Sequence, residues 1–240
     1  MRRGFSIGAL AAACAARLAF AQPDTAALRK LYEDALTRRL QTYGEKDARS
    51  AQAARDLALF LARSSNKAAA RRALANALRL DDEALGPHAA QTLEDAAALA
   101  AISPAAQAEP LLRRAAESPD PIVAGPALTN LAAIRRSAGD LASAAQLLRR
   151  ALEKAEASEG PDSPTVALVL NLLAQVVGPK QAAPLLQRAL AIDQQSLGPA
   201  NPQTRQDARN LSVLLRATGQ TAEAAQLERQ FQLAPPHQSR

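Results

Sequence analysis

From residue 24 to residue 233 apolar side chains recur every three or four positions, a helical period rather than the alternation of strands. Residues Asp24 to Thr42 form a first amphipathic segment: Asp24 is placed as an N-cap, and Leu28, Leu31, Tyr32, Ala35, Leu36 and Leu40 lie on one face. After it the pattern becomes countable. Ala70, Ala108, Ala144, Ala182 and Ala224 each stand seven residues before Ala77, Ala115, Ala151, Ala189 and Phe231. Leu74, Leu112, Leu148 and Leu186 follow the first member by four, and successive markers are 38, 36, 38 and 42 residues apart. Small side chains at i and i+7 share a helix face two turns apart, where they let a neighbouring helix come close.

Each marker helix is preceded by a partner with its own signature: Asn130-Leu131-Ala132, Asn171-Leu172-Leu173 and Asn210-Leu211-Ser212, echoed by Asp56-Leu57-Ala58 and Ala98-Leu99-Ala100. The turns inside the pairs fall at Ser64-Ser65-Asn66, Ile102-Ser103-Pro104, Ala138-Gly139-Asp140, Gly178-Pro179 and Thr218-Gly219-Gln220. Ser103-Pro104, Asp120-Pro121, Ser163-Pro164 and Asn201-Pro202 each set a capping side chain before a proline, which suits a helix start because the first N–H groups have no partner. Tyr43-Gly44, Leu85-Gly86-Pro87, Glu159-Gly160-Pro161 and Leu197-Gly198-Pro199 read as helix ends. Pro110 and Pro184 occupy equivalent places just inside a helix, and Gly125-Pro126 is expected to kink or delay the helix that holds Asn130. A single such pair cannot bury its own apolar stripe, so the pairs are expected to stack in series.

These residues resemble the tetratricopeptide repeat, in the longer form found in kinesin light chain-like bacterial proteins, with Asn-Leu-Ala, Gly-x-x-x-x-Ala, Leu-x-Arg-Ala-Leu and Leu-Gly-Pro as the recurring words. The likeness covers about 185 residues, Asp47 to Phe231, and recurs five times in register. It departs from the family where Arg135 and Leu215 replace the usual aromatic, and where Asn171 precedes its marker by 11 residues against 14 for Asn130 and Asn210. The resemblance implies an all-α fold, a right-handed α-solenoid of antiparallel helix pairs. The expected organisation is a signal peptide over 1–21, a capping helix over 22–44, five repeats at about 45–86, 87–118, 119–160, 161–198 and 199–233, and a disordered tail over 234–240.

Composition agrees with helices. The chain of 240 residues is 48% apolar, mostly Ala and Leu, with four Phe, two Tyr and no Trp. The start is of another kind: Arg2 and Arg3 precede an uncharged apolar run from Phe5 to Ala16, and Ala19-Phe20-Ala21 supplies small residues for cleavage after Ala21. A secretory signal peptide and a periplasmic or secreted destination are the expectation. Arg2-Arg3-Gly4-Phe5 also fits a twin-arginine signal, while Ala11 stands where a lipoprotein signal before Cys14 usually has Leu. Removal of 1–21 lowers the formal net charge from +6 to +3 and removes the only cysteine. The remaining Arg and Lys are interleaved with acids, which argues against a nucleic-acid stripe.

Catalytic chemistry is not legible. His88 reads as a loop residue beside a helix start and His237 lies in the tail; Asp81-Asp82-Glu83 reads as a solvated helix end, and no metal-ligand spacing or phosphate-cradling glycine loop occurs. No cofactor and no metal are expected. The sharpest site is the asparagine series: in such a superhelix the first helices line the concave face, and Asn130, Asn171 and Asn210 at one repeat position can each donate to and accept from a peptide backbone. The other reading of the same residues is bonding to neighbouring helices. Arg55, Arg136, Arg209 and Arg216 fall on or beside that face and favour an acidic ligand. The leading reading is thus an exported, non-enzymatic scaffold that takes a protein or peptide in its groove, with no nucleic-acid partner. Its rivals are an accessory domain of an enzyme complex and a cytoplasmic regulator that retains residues 1–21. Phe231 and Leu233 are expected to leave an apolar patch on the last helix, through which copies of the chain associate.

Overall fold

The computed structural model describes residues 25–63 and 67–233. The signal segment, Cys14, Asp24 as a cap, the Ser64-Ser65-Asn66 turn and the tail with His237 lie outside them. Among the described residues there are eleven helices and no strand. They are α1 (Thr25–Tyr43), α2 (Ala48–Ala62), α3 (Lys67–Ala84), α4 (Ala90–Ala101), α5 (Ala105–Ala115), α6 (Pro121–Ser137), α7 (Leu141–Glu159), α8 (Pro164–Ala174), α9 (Pro179–Ser196), α10 (Pro202–Ala217) and α11 (Thr221–Gln230). The chain falls into two units, one ending at Ala84 and one beginning at Leu85. The second is built of antiparallel helix pairs laid in series, the α-solenoid arrangement expected from the repeat, and the first is one such pair preceded by α1.

In the first unit α1 and α3 both pack on α2. Ala51, Ala54, Ala77 and Leu80 make the core, with Leu36 and Leu40 of α1 laid over it. Tyr32 stacks on Phe60 at 5.2 Å between ring centroids. Leu31, placed on the apolar face from its spacing, is exposed. The acidic run departs further from expectation. Asp81 is fully buried on α3 and receives Arg55 Nη2 at 2.5 Å, so it is the partner of a cation from α2 and not a solvated helix end.

In the second unit α4 to α11 follow one another as four pairs. Its eight marker positions, Ala108 to Phe231, are buried, as are Ala70 and Ala77 in the first unit. At every marker but Phe231 a methyl-sized side chain lets the two helices of a pair close on each other, and Leu112, Leu148 and Leu186 belong to the same cores. The shortened repeat is visible as α8, 11 residues long against 17 for α6 and 16 for α10. Asp120, Ser163 and Asn201 cap their helices by accepting from Ile122, Val166 and Gln203 N–H. Ser103 does not. Its hydroxyl turns back to donate to Leu99 O at 2.7 Å, and Pro104 takes the cap position with no side-chain bond. Gly86 and Gly198, at φ 88° and 85°, end helices in the left-handed region that a Cβ disfavours.

Two further expectations change. Of the kink or delay expected at Gly125-Pro126 the delay is absent: α6 starts at Pro121 and runs through both residues, with the Thr129 hydroxyl donating to Gly125 O at 3.0 Å. Phe231 and Leu233 do not form an exposed patch either. The chain turns after α11, with Gln232 at φ 50° and Leu233 N–H bonded to Glu228 O, which carries both side chains into the core of Leu211, Leu215 and Ala224. Burying them there removes apolar area from water without a second copy.

Candidate functional site

The asparagine series divides in the fold. Asn130 is exposed on α6. Asn171 is buried on α8, and its amide nitrogen donates to Ala167 O at 3.1 Å and to Asp207 Oδ1 at 2.9 Å. Asn210, half-buried on α10, donates to Asn171 Oδ1 at 3.4 Å and accepts from Gln206. Repeat-equivalent asparagines therefore do meet along successive first helices, but Asn171 has its amide engaged on both sides by the fold.

The four arginines are similarly sorted. Arg55 is buried and held by Asp81 and Gln52 in the first unit. Arg216 grips Glu228 of α11 with two nitrogens, at 2.8 and 2.6 Å, while the Ser212 hydroxyl donates to the same carboxylate. The bonds from Arg216 and Ser212 hold the Glu228 carboxyl down to about 2. Arg136 and Arg209 remain exposed and bond to amide side chains, Gln175 Oε1 at 2.5 Å and Gln206 Oε1 at 3.1 Å.

Asn130 sits where two cavities meet. One, of about 280 Å³, is walled by Pro121, Ile122 and Pro126 of α6, Ala151 and Ala155 of α7, and Leu168 of α8. The other, of about 160 Å³, runs past Ala133, Leu148 and Leu172 to Arg136. Thr129 and Asn130 belong to both. Ile122 and Leu168, at 72% and 52% exposure, leave large apolar side chains in the open at one end. The Asn130 amide thus stands between an apolar cavity and a second one that reaches the Arg136 guanidinium.

Neither Asp193 nor Asp207 is singled out by sequence reasoning, yet both are buried, at 2% and 0% exposure, on α9 and α10. Burial and the charge of Asp193 push the Asp207 carboxyl up to about 7, with the Asn171 and Gln203 amides opposing. Burial also raises Asp193. The repeat held a signal for one of them: Asp193 lies eleven residues after marker Ala182, as Asp81 does after Ala70. Among the described residues no three His, Cys, Asp or Glu side chains gather to hold a metal ion, and no helix is long and apolar enough to cross a membrane. His88 is exposed, 3.9 Å from Glu117.

The fold and groove define a helical repeat protein, and residues 124–178, spanning most of α6 with α7 and α8, match the tetratricopeptide repeat family. Comparison with curated proteins gives no match. Among solved structures the chain is similar to BtubC (BKLC) from P. vanneervenii, at 20% identity over 94% of this chain and 90% of that one, TM-score 0.46. It is also similar to a chain of nearly identical TPR-like repeats from Podosopora anserina, at 18% identity over 88% and 96%, TM-score 0.44.

Proposed function

We propose that this protein is a non-enzymatic interaction scaffold that holds an extended peptide segment of a partner protein along the groove of α6 and α8. The observation that carries the reading is the exposed amide of Asn130 between an apolar cavity and Arg136. An amide so placed can accept from a backbone N–H and donate to a backbone C=O, while Ile122 and Leu168 receive an apolar side chain and Arg136 an acidic one. Arg209 extends the positive character along α10. Asn171 and Asn210, bonded to each other, hold α8 and α10 in register rather than contacting the ligand first. A preformed groove suits an extended ligand because the scaffold has little ordering left to do.

The same proposal places the protein outside the cytoplasm, on the pattern of residues 1–21, with cleavage after Ala21. Mass spectrometry of the amino terminus of the purified protein tests that part: a chain beginning at Met1 or Arg2 overturns it. For the groove, a photo-crosslinking residue at Leu168 identifies the bound segment, and its affinity is then compared between the parent and Asn130→Ala/Arg136→Ala. Loss of the two polar contacts is expected to weaken binding about tenfold or more, since each is worth on the order of 1 kcal/mol or above. Unchanged affinity removes the groove from the account.

A further inference from the structure

The joint between α9 and α10 carries two carboxyl groups in a place that shields them from water, and their neighbours are neutral. Asp207 Oδ1 accepts from the Asn171 amide at 2.9 Å and the Gln203 amide at 3.1 Å. The Thr204 hydroxyl is committed to Asp193 O at 3.1 Å. Of the other three carboxyl oxygens, Asp193 Oδ1 and Asp207 Oδ2 receive no N–H or O–H from the described residues. Both carboxyls are buried at this joint, where Thr204, one helical turn before Asp207, ties α10 to the backbone of Asp193. Ionised, each would keep a buried oxygen with no donor, a costly arrangement away from water. A proton on Asp207 halves the buried charge and gives the joint a donor of its own.

The charged groups on the surrounding elements are spent elsewhere. On α9, Arg188 pairs with Glu156 of α7 at 2.7 Å, and Lys180 lies thirteen residues before Asp193, about 20 Å along the helix axis. On α10, Arg205 bonds to Gln232 O, Arg209 to Gln206 and Arg216 to Glu228. On α11, Glu223 accepts from Gln220, Glu228 is held by Arg216, and Arg229 is exposed near the carboxy-terminal end. Helix α8 has no charged residue. An internal contrast shows what is missing. In the first unit Asp81, at the same repeat position as Asp193, is met by Arg55. Leu170 stands directly before Asn171 as Arg55 stands before Asp56, and it is packed with Ala189 and Ile192. An apolar residue has replaced the cation, so a proton must do its work.

We propose that the Asp193–Asp207 pair is a proton-operated latch that docks the last helix pair, α10 and α11, onto α8 and α9 in acid and loosens it toward neutral and alkaline pH. Loss of that proton leaves two buried like charges in one joint, with no cation paired to either among the described residues, and the way to rehydrate them is to part the helices. Parting exposes the apolar faces of Ala208, Leu211 and Leu215 on one side and of Ala182, Leu186 and Leu190 on the other. The latch thereby couples pH to the exposure of an apolar surface that is closed in the docked state. The sign follows from linkage. Asp207 is raised from 3.8 to about 7, so the docked state binds the proton more tightly than the opened one. Docking is strongest below about pH 4 and weakens up to about pH 7, by at most tenfold per pH unit for one proton.

The test uses the full chain without added metal. Hydrogen exchange of the α10 and α11 amides, corrected for the intrinsic rate, is measured at pH 5, 6, 7 and 8, alongside the carboxyl carbon shift of Asp207 by NMR. Protection in these two helices is expected to fall as pH rises while α6 and α7 stay level, and the Asp207 signal to titrate near neutrality. Asp207→Asn keeps the shape and cannot ionise, so its α10 and α11 protection should no longer follow pH. An Asp207 midpoint at or below 4, or the same pH dependence in Asp207→Asn, overturns the latch; the NMR arm decides even if the variant folds poorly. A third arm adds 5 mM calcium at pH 7.5. Restored protection there, abolished in Asp207→Asn, would mean that a cation and not a proton closes the joint, and would also overturn it.

Discussion

The Asn171 side chain donates to Asp207 Oδ1 at 2.9 Å and so ties α8 to α10, the first helices of successive pairs. The residue that the repeat pattern offers as a ligand contact is thereby a strut between repeats. Asn171→Ala removes a donor from a buried carboxylate oxygen and is expected to cost about 1–3 kcal/mol of stability. Asn130→Ala, at the equivalent but exposed position, should stay within about 0.5 kcal/mol. Urea unfolding of both variants makes the comparison, and equal losses would show that burial does not separate the two asparagines.

In the first unit the Arg55–Asp81 pair is buried on both sides, with side-chain exposures of 10% and 0%. Arg55→Met strands a carboxylate in the core and is expected to cost about 3–5 kcal/mol, whereas Arg55→Met/Asp81→Leu should recover most of that. Thermal unfolding of the two variants decides. A double variant as unstable as the single one would mean that shape and not charge governs the site.

The marker alanines make a packing prediction. Ala189 is fully buried where α8 and α9 close. Ala189→Leu adds three carbons to a filled space and should destabilise by about 1–3 kcal/mol, while a leucine at the exposed Ala157 on α7 should be neutral. Denaturant midpoints for the two variants are the readout.

Glu228 gives a pH prediction opposite in sign to that of the aspartate pair. Its carboxyl is held from an ordinary 4.5 down to about 2 by the bonds from Arg216 and Ser212. A depressed value in the folded state means that its contribution is complete above about pH 4.5 and is lost as pH falls toward 2. Acid unfolding of the parent should therefore be steeper between pH 4.5 and 2 than that of Glu228→Gln. Identical slopes would remove the Arg216–Glu228 pair from the stability of α10 and α11.

The register of this protein was legible in the chain because it depends on short-range periodicity. Ala70 through Phe231 recur at helical spacing, and all ten positions proved to be the points where helices touch. The proline-preceded caps at Asp120, Ser163 and Asn201 and the left-handed glycines could be read for the same reason: each acts within four residues of itself. What depended on long-range geometry was not legible. Asn130, Asn171 and Asn210 carry the same repeat position, but whether an amide faces solvent or a carboxylate is set by residues some 40 positions away. Asp81 read as a solvated helix end until α2 brought Arg55 to it, and Phe231 and Leu233 read as a patch until the turn after α11 folded them inward. Local spacing determines which helices exist and which stripe each buries; the partner of every buried charge is decided only when distant helices meet, because electrostatic pairing in a low-dielectric interior depends on separation in space and not on separation along the chain.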